Sequence, residues 1–126
     1  MEVVLQGNVL WSYAHQIKER NTLNDLAYQF SGIRPHHDNS GVITLTEAAI
    51  IISGSENLQI PLSNISQLYL GFDDVYVVFM AKNLGLFWKP LRITLHNQEV
   101  IYLIIDYNFL QANNKKWFES LKVLLS

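Results

Sequence analysis

The chain has 126 residues, 49% of them hydrophobic, no cysteine and a formal net charge of −2. That apolar content in that length is enough for one domain with its own core and excludes a disordered chain. The lack of cysteine excludes a disulfide scaffold, a thiolate metal site and a cysteine nucleophile, and the near-neutral charge gives no electrostatic reason to expect a nucleic-acid partner.

The first residues, Met1 to Asn8, carry neither a basic leader nor a long apolar run, so no secretory signal is expected. No apolar run approaches the roughly 20 residues of a membrane helix, and a cytoplasmic location is the expectation. Leu10, Trp11, Ala14 and Ile17 fall near helical spacing, which favours a short helix within Leu10 to Arg20. Residues 1–25 thus form an N-terminal segment whose place in the fold the pattern leaves open, and 26–126 form the main body of a single domain.

Leu26 to Ile33 alternates and reads as a strand, followed by a polar loop from Arg34 to Gly41. Val42 to Thr46 is a strand with Ile43 and Leu45 on one face, and Ala48 to Ile52 returns after a tight turn. Leu58 to Leu62 is extended; Pro61 has no N–H to give to a ladder and belongs at an edge, a bulge or a strand start. Ile65 to Phe72 places Leu68, Leu70 and Phe72 on one face. Val75 to Met80, Leu86 to Leu95 (with Leu91, Ile93 and Leu95 inward) and Val100 to Ile105 complete the series. About seven short strands separated by turns define an antiparallel barrel or sandwich. The chain then runs into an amphipathic helix from Asn113 or Asn114 to Leu125, with Trp117, Leu121, Leu124 and Leu125 on its apolar face.

This order resembles the pleckstrin-homology (PH) superfold, and most closely the PH-like and GRAM-like domains of bacteria. The residues that carry the resemblance are Gly41-Val42-Ile43-Thr44-Leu45-Thr46, then Ile60-Pro61-Leu62-Ser63-Asn64-Ile65, then Trp117 with Leu121 in the last helix. It implies a mainly β, PH-like barrel of about seven antiparallel strands closed by a C-terminal α-helix. It also implies a binding module rather than a catalyst. Lipid-binding members of that superfold carry several Lys or Arg on the first hairpin. Here that region offers Arg34, with His36 and His37 charged only at lower pH, so headgroup binding is not expected.

Motifs for chemistry are sparse. His36-His37-Asp38 is the only run of possible metal ligands, and adjacent residues point apart, so it reads as a solvated turn, with no metal and no cofactor expected. Asp73-Asp74 reads as a solvated hairpin tip, and Asp106 as a carboxylate that caps the end of a strand. No phosphate loop, nucleophile elbow or zinc-protease helix is present, and no enzyme is expected. Aromatics are in surplus. Trp88, with Phe87 beside it and Lys89-Pro90 after it, is the candidate for an interface between copies or with another protein. The expected function is a non-enzymatic module that binds protein or itself; the alternative is weak binding of a lipid or small ligand near Arg34, His36, His37 and His96.

Overall fold

The structure, a computed structural model, describes residues 2–18, 37–73, 75–76, 88–108 and 111–126. Seven strands are defined: β1 (Val3–Tyr13), β2 (Asn39–Thr46), β3 (Ala49–Gly54), β4 (Leu58–Pro61), β5 (Ile65–Leu70), β6 (Leu91–Leu95) and β7 (Val100–Ile105). Among the described residues two α-helices flank them, α1 (Ala14–Lys18) and α2 (Asn114–Leu125). The expected strands Leu26–Ile33 and Val75–Met80 lie outside the described residues, except that Val75 and Tyr76 form a bend.

All pairings are antiparallel, and the order β4-β3-β2-β1-β7-β6-β5 makes one continuous sheet curled into a half-barrel. A single sheet replaces two separate layers because β1 is long enough to pair twice. It runs beside β2 from Val3 to Trp11 and beside β7 from Val9 to Tyr13. The sequence expectation of a short helix within Leu10 to Arg20 holds for Ala14–Lys18 and is corrected for Leu10–Tyr13, where the strand continues. The reason is burial on both faces. Val9 and Trp11 point into the concave core, while Leu10 joins a second cluster on the convex side with Ile17, Tyr76, Trp88, Tyr102 and Ile104. A strand covered on both sides shows an unbroken apolar run instead of alternation.

The concave core gathers Trp11, Ile43, Leu45, Ile50, Ile52, Leu91, Ile93 and Leu103 from the sheet and closes with Trp117 and Leu121 from α2. The inward set read from alternation in β2 and β6 is the one buried here. Gly41 and Gly54 face each other across β2 and β3, where a Cβ on either would collide with the opposing backbone. That close approach is why both positions need glycine. Pro61 closes β4, an edge strand, where its missing N–H costs no ladder bond.

Asn113 holds the N-cap position of α2, but its side chain makes no capping bond. Asn114 is more consequential. Its side chain is 1% exposed; Oδ1 accepts from the Ile105 N–H at 2.8 Å, and Nδ2 donates to the carbonyls of Lys89 (2.7 Å) and Leu103 (3.0 Å).

Two substitutions test this packing. Trp117 is 1% exposed, and Trp117→Ala is expected to lower the unfolding free energy by about 3–5 kcal/mol, measured by urea titration. Asn114→Ala leaves the Ile105 N–H and the Leu103 carbonyl without this partner in a buried place and is expected to cost about 3 kcal/mol in the same assay.

Candidate functional site

Three residues from different strands meet on the convex side. Asp73 follows β5, Arg92 lies on β6 and Tyr102 on β7. The Asp73 Oδ2 accepts from the Tyr102 hydroxyl at 2.6 Å and from Arg92 Nη1 at 3.0 Å. Its Oδ1 accepts from the N–H groups of Val75 and Tyr76 at 2.9 and 2.7 Å. Arg92 also donates from Nη2 to Gln67 Oε1 at 3.1 Å and stacks over Tyr69, its cross-strand neighbour, at 4.5 Å from the ring centre. The expectation of a solvated tip at Asp73 is thus corrected: the carboxylate is an organised acceptor for four donors. Asp74 lies outside the described residues. With its lone pairs committed in this way, Asp73 is poorly placed to take a proton from a substrate. The cluster fastens the segment after β5 to the sheet.

The electrostatics follow from that geometry. Burial alone would raise the Asp73 carboxyl, but the bonds from Tyr102, Tyr76, Arg92 and Val75 together outweigh it and hold it below its ordinary value. Burial first, then the bond to Asp73 and its charge, push the Tyr102 hydroxyl upward.

A second feature lies at the end of the sheet. Among the described residues β5 has a strand neighbour, β6, on one side only. α2 packs against β5, β6 and β7, and between β5 and the last turn of α2 runs a groove of about 330 Å³. Ile65, Ser66, Gln67, Leu68, Lys122, Leu125 and Ser126 line it. Lys122 is the sole charged side chain in that lining, and its ammonium sits 5.0 Å from the Phe118 ring centre. Of the groove's apolar lining, Leu125 is 38% exposed. β5 itself, Ile65-Ser66-Gln67-Leu68-Tyr69-Leu70, contains no charge and no proline, whereas the opposite edge, β4, is four residues long and ends at Pro61.

The residues singled out by sequence fare differently. Arg34, His36 and Phe87 lie outside the described residues. His37 is half-buried and His96 is exposed at the turn between β6 and β7, where its N–H donates to the Asn64 carbonyl at 2.9 Å. Among the described residues no three His, Asp or Glu converge as metal ligands would. Tyr13, beside β7 at its first residues, is held above its ordinary value by burial and then by Glu56 and Glu99, so this end of the sheet carries negative field. The expectation that Trp88 presents its indole on an edge is also corrected. It is 7% exposed and packs against Phe72 and Tyr107 in the convex cluster, because the segment before β6 folds over the sheet. Asp106 is the strand-end acceptor that was anticipated, taking the Asn8 N–H at 2.9 Å and the Asn113 amide at 2.8 Å. Sequence reasoning missed Arg92, Tyr102 and Asn114. Only Asn114 had a local signal, being a polar residue at the head of an apolar helix face.

No family model matches the chain, and no curated protein matches it. Among solved structures it is similar to the crystal structure of the C-terminal domain of an unknown protein from Leishmania infantum. The TM-score is 0.57 at 11% identity, over 98% of this chain and 84% of that one. A likeness at that identity concerns the fold alone.

The clasp generates a pH prediction. Because Asp73 is depressed, its contribution is complete above the ordinary aspartate value of 3.8 and is lost as pH falls below it. Because Tyr102 is raised, its contribution is lost as pH climbs past the ordinary tyrosine value of 10.0. Tyr102→Phe is expected to remove about 1.5 kcal/mol or more at neutral pH and to move the acid transition to higher pH. Thermal melts across the pH range, on both forms, measure it.

Proposed function

We propose that the chain is a PH-like, non-enzymatic interaction module that takes an extended segment of another protein along the free edge of β5. Seven antiparallel strands closed by a C-terminal helix seated on the concave side fit what the sequence resemblance implies, which supports the PH-like reading. The observation that carries the binding reading is the β5 edge, which among the described residues has no strand beyond it. Exposed edge strands are normally blunted by charge, proline or shortness. β4 is short and ends in proline, while β5 is longer, uncharged and without proline, and is bordered by a groove.

An added strand would gain main-chain hydrogen bonds to β5 and bury alternate side chains toward Leu68 and Leu125. Lys122 gives the groove its polarity and favours a segment with an acidic residue opposite it. A second copy of this chain fits less well, since its own β5 brings no carboxylate to meet Lys122.

Peptides selected by display against the folded protein are expected to be extended, apolar at alternate positions and acidic at one. Their amide shifts should map to β5 and the end of α2. Leu125→Asp is expected to weaken them by on the order of 10- to 100-fold, and Lys122→Glu to weaken those with an acidic residue. Selected peptides that bind equally well to both variants would sink the reading, and a dimer that Leu125→Asp dissociates would replace the foreign partner with a second copy.

A further inference from the structure

A separate groove lies at the opposite seam of the sheet, away from β5 and the end of α2. It exists because β1 and β7 part company. Asp106, directly after β7, adopts a left-handed conformation (φ 53°) and turns the chain off the sheet, a conformation that Asp tolerates through short-range hydrogen bonding. Beyond Val9 the earlier part of β1 keeps, among the described residues, only β2 as a strand neighbour. The space left beside it holds two contiguous hollows of about 450 and 470 Å³ that share Asn8 and Tyr107.

The lining is chemically distinctive. Asn8, Asn108, Gln111 and Asn113 bring four primary amides, Asp106 one carboxylate and Tyr107 an aromatic ring. Among the described residues no Lys, Arg or His lines either hollow. The side-chain amides of Asn8, Asn108 and Gln111 make no hydrogen bond within the described chain, although their backbones are tied: Asn8 to Asp106, and Asn108 to Gln111 in both directions. They are therefore free donors and acceptors on a fixed frame. The Asp106 carboxylate is held in place by the Asn8 N–H and the Asn113 amide, with lone pairs remaining. Gly7 is part of the frame, since a Cβ there would press into that carboxylate.

We propose that this groove binds a neutral saccharide. Each amide both donates and accepts, which matches hydroxyl groups that do the same. The Tyr107 ring borders both hollows, and the combined space suits a ligand of more than one ring. An anion would meet a carboxylate and, among the described residues, no cation. A cationic amine would use Asp106 alone and leave the amides idle. The proposal does not depend on the β5 reading, because the two linings share no residue.

Saturation-transfer NMR tests it with maltose, cellobiose and N,N′-diacetylchitobiose as probes, and with glycerol and spermidine as controls. At least one disaccharide is expected to receive saturation on its ring protons. The signal should fall to background in the double variant Asn8→Ala, Gln111→Ala. Both side chains are exposed and unbonded within the described chain, so the variant's melting temperature should equal that of the parent. The proposal is overturned by no transfer to any of the three sugars, by transfer to glycerol of equal strength, or by a sugar signal that survives in the variant. Spermidine binding that exceeds every sugar would overturn it too, and would assign the groove to a cation held by Asp106.

Discussion

The buried side chain of Asn114 ties the start of α2 to β7 and to the segment ahead of β6. It satisfies the Ile105 N–H at the end of β7, the Leu103 carbonyl within β7 and the Lys89 carbonyl ahead of β6. Three of its hydrogen-bonding positions are filled in a place closed to water, where an unfilled one is costly. The Asn113 N–H donates to the Ile105 carbonyl at 2.7 Å, so the start of α2 is locked to the last residue of β7. Trp117 follows one turn later and is thereby aimed into the concave core. The helix does not rely on its own capping: it has no side-chain cap bond and no acidic residue in its first turn.

The same seam explains the outer surfaces. β7 ends where Asn114 and Asp106 take hold, and β1 continues past it with one neighbour fewer. The polar groove beside Asn8 is the consequence. At the other extreme of the sheet β5 ends the order of the described strands, and the last turn of α2 borders it across the groove. Two surfaces of opposite character, one amide-rich and one apolar, thus arise from a single choice of where the helix leaves the sheet.

The convex side is held by a different device. Asp73, Arg92 and Tyr102 compensate one another's charge and polarity, and Arg92 extends the set to Gln67 and Tyr69 on the edge strand. A cation so engaged is not available to an anionic ligand, and a carboxylate so engaged keeps its charge. The cluster brings the bend at Val75 and Tyr76 onto the sheet, where Tyr76 packs with Tyr102 in the second core.

Local pattern was enough to specify much of this molecule. Alternation in β2, β5 and β6, turn residues between strands, Pro61 at an edge and the apolar stripe of α2 with Trp117 at its centre are properties of neighbouring residues, and they fixed a mainly β fold closed by a helix. Where a strand is covered on both faces the alternation vanishes, so β1 looked helical although it is the strand on which the sheet turns. Asp73 read as a solvent-exposed acid, and Trp88 as an exposed anchor, because their partners are distant in sequence: Arg92 and Tyr102 for one, Phe72 and Tyr107 for the other. The sequence by itself determined which residues could be strands, turns and helix. Only the tertiary structure decided which polar groups meet and which edges stay open, since both depend on contacts between segments that local sequence does not encode.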